Sequence, residues 1–246
     1  MRRFVADLHV HSLLSPCAAV EMTPRNIIWH ATRNGIDIVA IADHNSGANI
    51  RAAQEAARNM AVTVLPAMEV ETKEEVHLLT LFNNLNELLA WEAIVKAHLP
   101  EKVNNADKFG GQFVVDAEDN LVAIEERLLL TSSSLGVKDV ANKVAELGGL
   151  CIASHVDRPS YSIVSQLGFI PPDVNLAALE LSSLLKRDAM LNKFPDLKKW
   201  PLIMSSDAHA IDRFINGPKT VFWLEYPNLA EIKKALAEGR ISWLQA

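Results

Sequence analysis

The sequence predicts an α/β domain built as a closed barrel of strands surrounded by helices, and three observations lead to this prediction. Short apolar runs rich in β-branched residues recur along the chain, and helical patterns separate most of them. This alternation implies parallel pairing through right-handed crossovers, and continuous apolar strands imply burial on both faces. An open doubly wound sheet would be expected to carry a glycine-rich phosphate loop, but the sequence contains neither G-x-G-x-x-G nor G-x-x-x-x-G-K-[ST]. A closed (β/α) barrel is therefore favoured.

The strands and helices of this barrel can be placed along the chain. The predicted strands are residues 4–8, 36–42, 62–67, 76–82, 150–154, 176–182, 201–206 and 220–225. Between the first two strands, Thr23 supplies a helix N-cap, Pro24 occupies the first helical turn and Gly35 ends the helix. Similar helical patterns cover residues 51–60, 137–149 and 228–240.

The stretch from about residue 83 to 135 interrupts this rhythm. It contains a helical segment, LLAWEAIVKAHL, followed by FVVDAEDNLVAI, whose central Asp-Ala-Glu-Asp-Asn is typical of a hairpin turn. We interpret residues 83–135 as an insertion or lid within one domain that covers residues 1–246.

Composition restricts the classes of function. The chain has 246 residues, of which 49% are hydrophobic and 22% charged, as expected of a folded globular protein. A net charge of −6 disfavours a protein that binds long nucleic acid mainly through basic residues, although bound metal cations could still attract a small phosphorylated substrate. Two cysteines, no export signal and no apolar stretch long enough to span a membrane predict a cytoplasmic location. The sequence does not predict the oligomeric state.

The N-terminal motif DLHVHS is a candidate metal-binding element. In an extended strand, alternate side chains share a face, so Asp7, His9 and His11 are predicted to lie on one side. The two imidazoles then have the spacing of metal ligands, and Asp7 could hydrogen-bond a ring nitrogen and fix its tautomer. The alternative is a pair of solvated or core histidines.

Other histidines and acids also lie in or just after predicted strands, which favours a shared site. These residues are His44 after Asp43, Glu69, His77, His155, Asp207 and His209. The C-terminal strand ends of a parallel α/β fold form one rim, where active sites lie, so these residues are expected to meet. Histidines and carboxylates without thiolates suit zinc, iron or manganese, and bridging carboxylates suit more than one ion.

Taken together, these motifs resemble those of the PHP family, named for polymerase and histidinol phosphatase. DLHVHS, IADHN, the Glu69 segment with EEVHLL, ASHVDRP and SSDAH each resemble a family element, and the overall pattern is most similar to stand-alone bacterial members. The resemblance implies a distorted (β/α)7 TIM-like barrel and a metal-dependent phosphoesterase with two or three divalent ions of zinc, iron or manganese.

The resemblance also implies a set of ligands. One ion would be held by His9, His11, Glu69 and Asp207; a second by Glu69, His77 and His155; and a third by His44 and His209. The family usually adds an Asp or His to the third ion from the loop after the first motif, where this chain has Pro16 and Cys17. Cys17 could replace that ligand as a thiolate, Glu21 could reach in, or the third site could be weak.

The expected reaction is hydrolysis of a small phosphate ester, such as a nucleotide, a sugar phosphate or histidinol phosphate, by metal-bound hydroxide. The predicted catalytic residues are His9, His11, Glu69, Asp207, His209 and Arg158. Arg158 would bind non-bridging phosphate oxygens, with Arg213 as a second candidate, and a surface salt bridge is the alternative for both. Two other functions stay open: a nuclease or phosphodiesterase acting on oligonucleotides, and a non-catalytic module stapled by metal.

Overall fold

A computed structural model describes residues 1–244 and shows a mixed α/β fold in which one nine-stranded sheet curls into a nearly closed barrel. The strands are β1 (Arg2–Val10), β2 (Ile38–Ile41), β3 (Thr63–Glu71), β4 (His77–Leu81), β5 (Phe113–Val115), β6 (Leu121–Ile124), β7 (Leu150–Ala153), β8 (Ala178–Leu181), β9 (Leu202–Met204), β10 (Lys219–Leu224) and β11 (Ile241–Leu244). All eight predicted strands are present, and the predicted hairpin is the separate pair β5–β6.

Helices lie in the connections between strands. They are α1 (Pro24–Arg33), α2 (Ile50–Ala56), α3 (Leu85–His98), α4 (Ala106–Phe109), α5 (Val137–Glu146), α6 (Ile163–Leu167), α7 (Arg187–Lys193), α8 (Ile211–Asn216) and α9 (Leu229–Ala237). The predicted start of α1 is confirmed, since the Thr23 side chain accepts a hydrogen bond from the backbone N–H of Asn26 and Pro24 is the first helical residue. Within residues 1–244, no helix combines the length and the apolar character that a membrane crossing requires.

The strand order in the barrel sheet is β11-β10-β1-β2-β3-β4-β7-β8-β9. The strands β1, β2 and β3 pair in parallel, as do β7, β8 and β9, whereas β4 and β10 pair antiparallel to their neighbours. The expectation of uniformly parallel strands is therefore wrong for β4 and β10. The connection of residues 72–76 between β3 and β4 is too short for a crossover, so these two strands form a hairpin.

Side-chain hydrogen bonds help to close the barrel between its two end regions. The backbone N–H of Met204 in β9 donates to Thr220 Oγ1 in β10 at 2.8 Å, and the indole N–H of Trp243 in β11 donates to the Leu202 carbonyl in β9 at 2.9 Å. The predicted barrel fold is thus confirmed, although the observed sheet includes β11, which the sequence analysis did not identify.

Two apolar clusters stabilise this barrel. One packs the outer faces of the strands against the helices and includes Ile27, Ile28 and Trp91, whereas the other contains inward-facing residues such as Leu65 and Ile152. In β3, Leu65 and Ala67 belong to the inner cluster, so the alternation of side chains places Glu69 on the inner face as well.

Candidate metal centre

The histidines and acids that the sequence analysis placed at strand ends lie close together in the structure. Strand ends and the loops that follow them bring together His9, His11, His44, Glu69, His77, His155, Asp207 and His209. The antiparallel direction of β4 is essential, because it places the first residue of that strand, His77, opposite Glu71 at the C-terminal end of β3.

Glu69 lies at the centre of this cluster and is buried. Its Oε1 atom lies 3.2 Å from His9 Nε2, 3.2 Å from His77 Nδ1 and 3.5 Å from His155 Nε2. Its Oε2 atom lies 3.2 Å from His44 Nδ1 and 3.5 Å from His11 Nε2. One carboxylate therefore touches five imidazoles, the arrangement expected of a bridging group between cations.

Asp207 provides a second carboxylate beside the same imidazoles. Its Oδ1 atom lies 3.2 Å from His11 Nε2, 3.5 Å from His9 Nε2 and 3.7 Å from His209 Nδ1. Asp207 and His155 have positive φ angles of 47° and 30°, a left-handed conformation that costs free energy for residues with a Cβ. The backbone is therefore held in a conformation that aims both side chains into the cluster.

Three groups of ligand atoms are close enough together to hold a metal ion: His9, His11 and Glu69; His44, Glu69 and His77; and His11, His44 and His209. Imidazole nitrogens and carboxylate oxygens without thiolates suit zinc, iron or manganese. His155 Nδ1 is buried without a hydrogen-bond partner within residues 1–244, and the imidazoles that touch Glu69 Oε1 do not have hydrogen-bond geometry toward it. Such an arrangement is costly unless a cation or another partner satisfies these atoms. The residues of the cluster thus fit divalent ions.

The ionisation of the cluster reflects this close packing. Burial opposes the charged form of His9, but the carboxylates of Glu69, Glu180 and Asp207 outweigh it and hold the pKa of His9 well above its usual value. Burial also opposes the charged form of His77, but the carboxylates of Glu69 and Glu71 outweigh it and raise the pKa of His77 to about 9.

The pKa values of three other members of the cluster are lowered. Burial and the neighbouring His209 lower the pKa of His11 to about 4. Glu69 and Asp207 are buried as well, yet the surrounding imidazoles hold the pKa of both carboxyls well below the usual range. The carboxylates are therefore ionised and His11 is neutral at pH 7, the forms that metal ligation needs.

Glu180, in β8, is a buried residue of the site that sequence reasoning missed. Its two carboxylate oxygens lie 3.2 and 3.1 Å from His9 Nδ1, the ring nitrogen that faces away from Glu69. Its Oε1 atom also accepts a hydrogen bond from the backbone N–H of His155 at 3.2 Å. The signal was available, because Glu180 is the only charged residue in the apolar run LAALELS.

The expectation that Asp7 would orient a histidine ring is wrong. A register irregularity between Asp7 and Val10 interrupts the alternation of β1, so Asp7 does not share the face of His9. Asp7 instead forms a buried ion pair with Lys219 at 3.2 Å and accepts a hydrogen bond from the backbone N–H of Ser206 at 3.0 Å.

The motif residue Asp43 acts on the cluster through Ser15. Asp43 accepts hydrogen bonds from the Ser12 and Ser15 hydroxyls at 2.6 and 2.7 Å. The Ser15 oxygen lies 2.9 Å from His11 Nδ1, which fixes the orientation of that ring.

The predicted cation Arg158 borders the cluster. Its Nη1 atom pairs with Asp207 Oδ2 at 2.5 Å, and it lines a cavity of about 110 Å³ together with His77, Tyr161 and His209. The exposed Tyr161 ring stacks on the His77 imidazole with 4.7 Å between ring centres. The second candidate, Arg213, donates from Nε to the Ser206 carbonyl at 2.9 Å and supports the backbone of the SSDAH motif.

The structure does not bring Cys17 or Glu21 into any of the three ligand groups. Cys17 is an exposed, free cysteine near the cluster. Partial desolvation, together with the carboxylates of Glu69, Asp43 and Asp207, raises the pKa of its thiol to about 12. Cys17, one of the alternatives that the sequence analysis left open for the third ion, is therefore not among the grouped ligand atoms, and the third group consists of imidazoles alone.

Comparison with solved structures identifies the same fold in several hydrolases. The chain is similar to a lesion-specific endonuclease from Pyrococcus furiosus, with 20% identity and a TM-score of 0.67 over 96% of this chain and 56% of the endonuclease. It is also similar to a protein from Bifidobacterium adolescentis named as a metal-dependent phosphoesterase (19% identity, TM-score 0.58, 94% and 95% covered). An amidohydrolase from Chromobacterium violaceum with bound sulfate and no metal is a third (17% identity, TM-score 0.60, 96% and 97% covered).

The three similar structures differ in how much of their own length this chain covers. The chain spans little more than half the length of the P. furiosus endonuclease, whereas it spans almost all of the other two proteins. A search of curated proteins finds no significant match. The model of the PHP domain, in contrast, matches residues 7–191, a range that contains every motif from DLHVHS to ASHVDRP. The chain is therefore a member of the PHP family.

Proposed function

We propose that this protein is a metal-dependent phosphoric ester hydrolase that acts on a small phosphate ester. The observation that carries the proposal is the position of Glu69, whose carboxylate contacts five buried or nearly buried imidazoles with Asp207 beside them. Such a cluster is expensive to bury without cations, and PHP membership supports a hydrolytic use for it.

The proposed cofactors are two or three divalent ions of zinc, iron or manganese. We assign His9, His11, Glu69 and Asp207 to the first ion, and Glu69, His77 and His155 to the second. His44 and His209 would hold the third. His11 lies in both the first and the third ligand group, but its Nδ1 contacts Ser15, so its Nε2 would serve only one of the two ions, and we assign it to the first. Bound divalent ions supply Lewis acidity, which activates water and neutralises charge on phosphoryl oxygens.

The protein's own residues would position the substrate. Arg158 lines the cavity above the cluster and offers a planar, permanently charged donor for two non-bridging phosphate oxygens. Its pairing with Asp207 keeps the guanidinium directed at the cluster. The Tyr161 ring, stacked on His77, would form one wall of the substrate site.

Two features favour a small substrate over a polynucleotide. The cavity that reaches the cluster is about 110 Å³, and the net charge of −6 offers little attraction for a long phosphate backbone. The P. furiosus endonuclease gives the nuclease alternative specific support, since 96% of this chain superposes on part of that protein. We further propose that residues 1–246 form one metallohydrolase domain that works in the cytosol, where Cys17 and Cys151 stay reduced.

The test is a panel of phosphate esters assayed with protein whose metal content has been measured. We expect hydrolysis of one or more small monoesters, such as a mononucleotide or a sugar phosphate, with loss of activity after chelation and in the His9→Ala variant. A long single strand compared with the mononucleotide at equal phosphate concentration separates the two functions. Faster cleavage of the strand would replace our proposal by the nuclease.

The non-catalytic alternative needs its own variant. In Asp207→Ala, a melting temperature close to that of the parent together with lost turnover would argue against metal that only staples the fold. A metal-loaded protein without activity on any ester of the panel would instead favour the metal-stapled module.

A further inference from the structure

Two neighbouring cavities that share lining residues lie beside the metal centre in the region of α6 and α7, and we call them together the interhelical groove. The first, of about 390 Å³, is lined by Arg158 and by apolar residues that include Val164, Met190 and Phe194. Arg158 also lines the cavity above the metal ligands, so the groove begins where the phosphate would be held.

The second cavity of the groove has a volume of about 570 Å³. The two cavities share Val164, Lys193 and Phe194, and the second adds the aromatic rings of Phe169 and Trp200. Phe169 is largely exposed and Trp200 is half-buried, so both rings remain available for contact. The combined space lies in the size range of small-molecule sites, which are mostly apolar with a few polar groups.

Most of the charged side chains that line the groove already have a partner, and Asp196 pairs with Lys199 at 2.6 Å. The carboxylate of Asp157 is already satisfied, since it accepts hydrogen bonds from the Ser182 N–H and hydroxyl at 2.7 Å and lies 3.7 Å from Lys186 Nζ. The Lys193 ammonium, in contrast, lies 5.2 Å from the centre of the Phe194 ring and has no carboxylate within 4 Å in residues 1–244. One unpaired cation therefore stands between Arg158 and the aromatic end.

We infer that the interhelical groove binds the leaving group of the ester, and that this group is an alcohol carrying an aromatic ring. The inference rests on the proposed function, because Arg158 joins the groove to the phosphate position. The ring would lie against Phe194 and reach toward Phe169 and Trp200, where aromatic contacts add to the burial of apolar surface. Sugar phosphates, which carry no aromatic ring, would leave this aromatic surface without contacts.

The test compares two monoesters, 2-naphthyl phosphate and glycerol 2-phosphate, in variants that enlarge one side chain. Met190→Trp fills the groove, whereas Leu185→Trp makes the same kind of change at a side chain that is 86% exposed and lines neither cavity. In Met190→Trp we expect the ratio of kcat/KM for the naphthyl ester to that for the glycerol ester to fall by about tenfold or more. The ratio should not change in Leu185→Trp. An unchanged ratio in Met190→Trp would overturn the inference.

A binding measurement separates failure of this inference from failure of the proposed function. If the parent protein hydrolyses neither ester, the proposed function fails, and the groove is then judged by saturation-transfer NMR with 2-naphthol alone. Transfer in the parent and in Leu185→Trp, but not in Met190→Trp, supports the groove as a ring site. Absence of transfer in the parent, or equal transfer in all three proteins, refutes it.

Discussion

Replacing Glu180 by glutamine should weaken metal binding although Glu180 is not itself expected to bind an ion. Both of its oxygens approach His9 Nδ1, and one also accepts the backbone N–H of His155. Glutamine keeps one oxygen and nearly the same volume, but it removes the negative charge and turns an N–H group toward the ring. His9 then loses the partner that fixes which ring nitrogen carries the proton.

The magnitude follows from the role of this contact. Loss of an outer partner of a metal-binding histidine typically costs about 10- to 100-fold in metal affinity, which corresponds to about 1.4–2.7 kcal/mol. Because Glu180 touches two proposed ligands, we expect the Gln variant to lie toward the upper part of this range. In Glu180→Ala, the buried His155 N–H also loses its acceptor, so a further loss of about 1–3 kcal/mol in the free energy of unfolding is expected.

The assay is a titration with Zn²⁺ in competition with a chromophoric chelator, supported by urea unfolding of the metal-free proteins. Glu231→Gln is the matched control, since Glu231 is also a buried glutamate but lies in α9 and pairs with Lys234. Zinc affinity in Glu180→Gln within twofold of the parent would refute this reasoning. An equal loss in Glu231→Gln would show that the effect comes from general destabilisation.

Three further predictions concern other parts of the molecule. First, metal affinity should rise with pH up to about 9, because the raised pKa of His77, about 9 in the metal-free protein, means that its imidazole must lose a proton to bind an ion. Calorimetry in buffers of different ionisation enthalpy would detect the released protons. An affinity that does not change between pH 7 and pH 9 would contradict this prediction. Second, Cys17→Ser should keep the full metal content by elemental analysis, because Cys17 belongs to none of the three ligand groups; loss of one ion per chain would restore Cys17 as a ligand. Third, Lys219→Met should lower the free energy of unfolding by about 3–5 kcal/mol in urea titrations, because it leaves the buried Asp7 carboxylate without its cation; a loss below 1 kcal/mol would show that the pair contributes little.

The sequence predicted the members of the cluster because the rule that places them is local. His44, His155 and His209 each follow an apolar strand, and the C-terminal ends of barrel strands share one rim, so their meeting requires no knowledge of distant contacts. The same reasoning predicted the barrel, since each strand carries its own apolar signal.

What the sequence could not predict depends on backbone irregularity and on neighbours far apart in the chain. The bulge in β1 has no composition signal in DLHVHS, yet it decides that His9, and not Asp7, faces Glu69. Glu180 lies 171 positions from His9, so its role appears only when β1 and β8 curve toward the same interior. Cys17 occupies the expected position along the chain, but the fold does not bring it into any ligand group.

Charge balance connects the metal centre to the substrate site. In the metal-free protein, the ionised carboxylates of Glu69 and Asp207 are neutralised by protons on His9 and His77 and by the Arg158 guanidinium. On the proposed ligation, His9 and His77 would give up these protons, and Asp207 would be neutralised without Arg158, which would weaken the attraction between that guanidinium and the carboxylate. A phosphate ester, the proposed substrate, would then offer Arg158 two oxygens in the cavity that it lines. If the proposed function holds, metal loading and the binding of a phosphate ester should support each other, with Arg158 as the residue that would couple the two sites.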